Sequence, residues 1–180
     1  MSRFHREMAM EEFATLVCEG LRKCGIQAVL TGGGAVTVYS ENRYVSSDAD
    51  FISPSDDKDL EAAMKAMGFT RKGKDYVHSD TDLTVEFPGR SIEIGNESIA
   101  QWATRKNRAG SLSILRPTEC VMDRLAWFYH CDDRQTLDQA VEVAHDQPVD
   151  LKRIETWSVG EKSIEKFRIF RARLEARNQK

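Results

Sequence analysis

Asp48 and Asp50 stand two residues apart, downstream of a glycine run, Gly32-Gly33-Gly34-Ala35, with Arg43, Ser46 and Ser47 between. Side chains at i and i+2 of a strand share one face, so an extended segment over 48–53 points both carboxylates the same way. Magnesium takes hard oxygen ligands in octahedral geometry, usually one or two carboxylates together with substrate phosphates and waters. An Asp-x-Asp pair meets that need for Mg2+ or Mn2+. The glycines supply the complementary part. Without Cβ atoms they let backbone N–H groups approach a ligand closely. Residues 35–39 read as the first turns of a short helix, whose N-terminus offers unpaired N–H donors and the positive end of its dipole to phosphate. The chemistry this layout predicts is the binding of a nucleoside triphosphate with its divalent metal.

A third carboxylate is expected on Asp82-Leu83-Thr84-Val85-Glu86-Phe87-Pro88, where Leu83, Val85 and Phe87 alternate with Asp82, Thr84 and Glu86. A neighbouring antiparallel strand would set Asp82 or Glu86 beside Asp48 and Asp50. Glu86 is favoured, because it lies deeper in the apolar run, where an unpaired carboxylate is costly to bury unless it serves a metal or a partner. A basic side chain such as Arg90 is the competing partner for Glu86.

The elements that must position these residues are legible in outline. Residues 26–30 are β-branched and apolar and read as a buried strand running into the glycines. Met10, Phe13, Val17, Leu21 and Cys24 form a helical stripe over residues 6–24 that stops at Gly25. Ser55-Asp56-Asp57 resembles an N-cap with an acidic first turn, leading a helix through Leu60, Met64 and Met67 to Gly68. Residues 69–73, 76–86 and 111–115 read as strands, and helices are expected over 117–129, 134–145, 151–157 and 160–177. The predicted fold is therefore α/β (α+β): a small mixed sheet with flanking helices over 1–115, and a C-terminal helical region over 116–180 that packs on it and walls one side of a cleft.

In this order and spacing the motifs resemble the nucleotidyltransferase superfamily with the DNA polymerase beta-like core. The stretch from Gly33-Gly34-Ala35 to Arg43, Ser47, Asp48-x-Asp50-Phe51 is most similar to AbiEii-type nucleotidyltransferases, a group that includes toxins of type IV toxin–antitoxin systems. Val85-Glu86-Phe87-Pro88-Gly89 is similar to an element of uncharacterised members, and residues 115–126 and 133–138 are loosely similar to the family's helical motif. The resemblance spans roughly residues 26 to 145. It implies transfer of a nucleoside monophosphate from a nucleoside triphosphate to an acceptor hydroxyl on RNA, tRNA or a protein. Asp48, Asp50 and Glu86 would be catalytic metal ligands, and Gly33, Gly34, Arg43, Ser47 and Arg124 would contact the nucleotide. It also implies a second possibility, a weak or inactive nucleotide-binding module of a toxin–antitoxin or phage-defence pair with an antitoxin-like partner. The chain departs from the family pattern at Ala35, where a hydroxyl is common, at Arg124, where lysine is usual, and at Gln135, where aspartate is common. Arg124 replaces a point charge by a planar fork.

Each motif has a plainer meaning taken singly. A glycine triplet is commonly a turn, and an isolated Asp-x-Asp a solvated strand end. For Arg124 and Arg134, surface or packing roles compete, and His78 reads as a hydrogen-bonded structural histidine. Cys18, Cys24, Cys120 and Cys131 show no C-x-x-C pair and no zinc spacing, and are expected to be small buried hydrophobes.

At 180 residues and a net charge of −3 the chain can bury a sizeable core and carries no strong electrostatic footprint for nucleic acid. The exception is residues 161–180, where lysine and arginine outnumber glutamate, a run that reads first as a salt-bridged helix face and second as an RNA contact. No apolar run is long enough to span a bilayer, and residues 1–10 are too polar for a signal peptide. A soluble, cytoplasmic protein is expected.

Overall fold

A computed structural model describes residues 3–179. The front of the chain runs α1 (Met10–Lys23), β1 (Val29–Thr31), α2 (Gly32–Tyr39), β2 (Asp48–Ile52), α3 (Asp57–Ala66), β3 (Thr70–Lys72), β4 (Asp75–Val77) and β5 (Thr84–Gly89). A small hairpin, β6 (Glu93–Ile94) and β7 (Glu97–Ser98), precedes β8 (Ala103–Asn107) and β9 (Gly110–Ile114). Four helices close the chain: α4 (Pro117–Cys131), α5 (Arg134–Asp146), α6 (Leu151–Gly160) and α7 (Ile164–Asn178).

Seven strands form one mixed sheet in the order β3-β4-β5-β2-β1-β9-β8. β2 lies at its centre, antiparallel to β1 with Thr31 opposite Asp50, and parallel to β5 with Asp50 opposite Glu86. The expected antiparallel neighbour is thus corrected. The expected continuous strand over 76–86 breaks after Val77, and β4 and β5 are the pair that runs antiparallel. The intervening helix and hairpin return the chain so that β5 enters alongside β2 in the same direction. The register between β2 and β5 shifts between Asp50 and Ile52, an irregularity of the kind that often sits beside a functional site.

Period-two alternation sorts the strand residues. Ala49 and Phe51 of β2 and Val85 of β5 are fully buried, whereas Asp48, Asp50 and Glu86 lie on the other face. The helical part joins the same apolar cluster: Leu125, Phe128, Leu137 and Phe170 are fully buried with Phe13, Leu30 and Phe51. Pro117 opens α4 and Asp133 caps α5 by accepting bonds from the N–H groups of Gln135 and Thr136.

The β6–β7 hairpin, invisible in the sequence pattern, is clamped to the helices. Trp157 Nε1 donates to the Ile94 carbonyl at 3.3 Å, and the Asn96 N–H donates to Glu161 Oε1 at 2.8 Å. Arg153 spans Glu97 on β7 and Glu119 on α4.

α2 begins directly at the glycines, so they are its first turn rather than a loop before it. Gly32 has φ +60°, and a Cβ there would lie 2.4 Å from Asp50 Oδ2. A Cβ on Gly34 would lie 3.1 Å from Leu30 Cδ1 and 3.3 Å from the Asp48 carbonyl oxygen, both tighter than ordinary contact. Gly32→Ala is therefore expected to lose about 2 kcal/mol by chemical denaturation, from left-handed strain and the clash together. Adding Asp50→Ala removes the clash and not the strain, so the double variant should lose less than the sum of the singles. Gly160→Ala, with nothing within 4 Å of the new Cβ, is the neutral reference.

Candidate active site

A cleft of about 650 Å3 opens over the polar face of β2 and β5. Its floor holds Thr31, Gly32, Asp50 and Glu86, and its far wall is α4 and the start of α5, with Asp123, Arg124, Trp127, Asp133 and Thr136. Lys74, from the β3–β4 turn, reaches in from the edge and pairs with Glu86 at 2.9 Å.

Asp50 is the electrostatic centre. Its carboxyl is pushed from 3.8 up to about 6, first by burial and next by the Glu86 carboxylate opposite it, with Arg124 pulling the other way. Arg124 holds its charge although burial opposes it, because Asp123 binds it through two nitrogens at 2.6 and 3.1 Å. Its remaining Nη1 donates to Gln139 at 3.3 Å. The hydrogen bond to Glu86 raises the Lys74 ammonium.

The residues singled out in the sequence divide into two groups. Asp50, Glu86 and Arg124 come together in the cleft. Asp48 shares the face but is exposed, its Oδ1 accepting bonds from Thr84 at 2.7 Å and Ser47 at 3.3 Å. Gly32, rather than Gly33 or Gly34, lines the cleft: Gly34 is buried against β2, and Gly33 sits beside Ser46. Arg43 does not line it, since the segment after α2 carries it to α5, where it pairs with Glu142 at 3.4 Å and with Asp146. The basic partner of Glu86 is Lys74, whereas Arg90 pairs with Asp56. His78 packs on Phe4 and Phe69 as a structural residue. Cys18 and Cys120 are buried, but Cys24 and Cys131 are exposed, which corrects the expectation for those two.

Lys74, Asp123 and Trp127 were missed by sequence reasoning. Trp127 could have been found by projecting α4 from Arg124, because i and i+3 share a face, whereas Asp123 is the immediate chain neighbour of Arg124 and is found only through its contact with that guanidinium. No local signal marks Lys74, which enters only because a hairpin turn folds back over β5.

The donor set suits a divalent cation in kind: hard carboxylate oxygens at a position where burial and like charge leave Asp50 undercompensated. Among the described residues, however, no three His, Cys, Asp or Glu side chains are gathered closely enough to hold an ion as they stand. Asp48 is turned to Thr84, and Glu86 to Lys74.

No protein-family model matches this chain, and neither does any curated protein. Among solved structures, an antigenic nucleotidyltransferase-like protein from Paracoccidioides brasiliensis superposes with a TM-score of 0.57 at 10% identity, over 77% of each chain. The fold is therefore nucleotidyltransferase-like. The antibiotic-resistance factor ANT(2'')-Ia in solution gives a TM-score of 0.44 at 15% identity, over 94% of this chain and 95% of that one. Its crystal structure with adenylyl-2''-tobramycin gives 0.45 at 14%, over 91% and 97%. These two scores are too low to carry an argument about this chain. Among the described residues no helix is long and apolar enough to cross a membrane.

The raised Asp50 carboxyl makes a stability prediction. Below about pH 4 both folded and unfolded states carry the proton and nothing is lost. Between 3.8 and about 6 the unfolded state ionises first, and above about 6 the folded state bears the full penalty. At ~1.4 kcal/mol per unit the ceiling is near 3 kcal/mol, and solvent screening at this partly exposed group reduces it to roughly 1–2. Asp50→Asn should therefore raise stability at pH 7.5 without metal, and the gain should vanish by pH 4. Urea melts of the two proteins across that range check it, and a pH-independent difference would contradict the assignment.

Proposed function

We propose that this protein is a metal-dependent nucleotidyltransferase that moves a nucleoside monophosphate from a nucleoside triphosphate to an acceptor hydroxyl. The observation that carries the reading is the register at the sheet centre: Asp50 beside Glu86, against the glycine-led start of α2, in a nucleotidyltransferase-like fold. The α2 N–H groups and Arg124 supply positive potential for a triphosphate. Lys74 is a third donor once Glu86 is otherwise engaged. Asp50 and Glu86 would hold Mg2+ or Mn2+, and Asp48 would join them on releasing Thr84. When bound, the cation supplies charge neutralisation for the triphosphate and the attacking oxygen. The acceptor hydroxyl forms the new bond to the α-phosphorus, the bond to the bridging oxygen breaks and pyrophosphate leaves. We assign the hydroxyl proton to Glu86. RNA, tRNA and protein are the acceptor classes, and the cytoplasm is the compartment that suits the free thiols of Cys18, Cys24, Cys120 and Cys131.

Two ion pairs favour the second reading, a weak or inactive nucleotide-binding module with an antitoxin-like partner. Lys74 already neutralises Glu86, and Arg43 is committed to α5. Incubation with each labelled nucleoside triphosphate, magnesium and total tRNA or protein extract separates the two. Labelled acceptor supports transfer, whereas a triphosphate-raised melting temperature without labelling supports the module.

Two outcomes follow from the first reading. Asp50→Asn and Glu86→Gln should each lower labelling at least a hundredfold while the fold persists, and Asp48→Ala with Asp50→Ala should abolish it. Labelling that survives the double variant removes these residues from the mechanism. Magnesium should raise the melting temperature of the unmodified protein and not that of Asp50→Asn; chelator should reverse the rise.

A further inference from the structure

Trp127 is left half exposed, at 52%, although it lies on a helix whose neighbouring apolar side chains, Leu125 and Phe128, are fully buried. Four other large apolar side chains are also exposed: Val45, Leu151, Val159 and Ile169. Among these, Trp127 alone lines the cleft. Its ring makes no aromatic stacking or cation–π contact among the described residues, whereas the adjacent Phe128 meets Tyr129, Arg134 and Lys166. A single exposed apolar residue on an open surface is ordinary. An unpartnered indole on the wall of a cleft whose floor carries Asp50 and Glu86 is a flat face available to a ligand.

The surroundings say which part of a ligand would use it. Trp127 is three residues beyond Arg124, one turn further along the same helical face toward the α4–α5 turn that Asp133 caps. The positive groups for a triphosphate, the α2 N-terminus, Arg124 and Lys74, gather about Asp50 and Glu86. At that turn the lining adds Asp133 and Thr136; the Asp133 carboxylate, whose Oδ1 caps α5, would repel phosphate, while its other oxygen can accept from an amino group. Phosphate and base therefore have opposite preferences for these two sets of groups.

We propose that Trp127 is the platform on which the nucleobase of the bound triphosphate stacks, and hence a binding-specificity residue. The inference rests on the nucleotide reading above. Every base presents a π face, so the platform provides affinity for nucleosides over bare polyphosphate.

The test measures binding of the full chain, with magnesium, to the tightest of the four common nucleoside triphosphates and to inorganic tripolyphosphate. Trp127→Ala should weaken the nucleotide about tenfold, equivalent to ~1.4 kcal/mol. Trp127→Phe should restore it to within about threefold. Tripolyphosphate, having no base, should bind all three proteins equally. The nucleotide should also quench tryptophan fluorescence in the unmodified protein and much less in Trp127→Ala, and tripolyphosphate should do so in neither. Equal nucleotide affinity in Trp127→Ala and the unmodified protein overturns the platform while leaving the nucleotide reading intact. If the unmodified protein binds neither nucleotide nor tripolyphosphate, the nucleotide reading itself fails and the platform with it. Parallel losses of nucleotide and tripolyphosphate in Trp127→Ala would show a structural role and also refute the stacking.

Discussion

A carboxylate held where it is poorly solvated, beside another carboxylate, is the constraint around which this molecule is arranged. Asp50 faces Thr31 on one side and Glu86 on the other because β2 is the central strand of the sheet. Its oxygen comes so close to the first residue of α2 that only glycine fits there. Moving β2 by one residue in either register would turn Ala49 or Phe51 to the cleft and bury a charge in the core. The apolar face of the strand thus enforces the placement of the charged face.

That placement concentrates negative charge, and the helical part of the chain answers it. Arg124 is the only cation brought to Asp50 from α4 among the lining residues, and Asp123 and Gln139 fix the orientation of its fork. The helices are fixed in turn by the separate β6–β7 hairpin, whose contacts with Arg153, Trp157 and Glu161 tie the segment between β5 and β8 to α4 and α6. The cations of α7 are spent elsewhere: Arg168 and Arg171 pair along the helix, Arg173 with Asp138, and Arg177 with Glu142. With Lys166 paired to Asp132, this accounts for the basic run from Lys166 to Arg177 as a salt-bridged face; Lys162 makes no ion pair among the described residues, and Lys180 lies outside them.

The cleft is therefore acidic with a few well-placed cations, an electrostatic pattern complementary to a ligand that brings both phosphate and metal. Neither would be comfortable alone. A bare polyanion meets Asp50, Glu86, Asp123 and Asp133, and a bare cation meets Lys74 and Arg124. The proposed metal-bound nucleotide would satisfy both sets at once.

The sequence by itself determined the local pieces: a strand ending at glycines, two carboxylates on one strand face, an alternating strand carrying Glu86, and a helical C-terminal part. Each follows from short-range rules, because strand period, the missing Cβ of glycine and helix periodicity act over a few residues. Pairing direction, hairpins and partners were decided only by the tertiary structure. β5 runs parallel to β2 because of a return path through α3 and two short strands, Arg43 is taken by α5, and Lys74 enters the cleft because the β3–β4 turn folds over β5. Those outcomes depend on which surfaces bury together and which charges then meet, and no residue's immediate neighbours encode that.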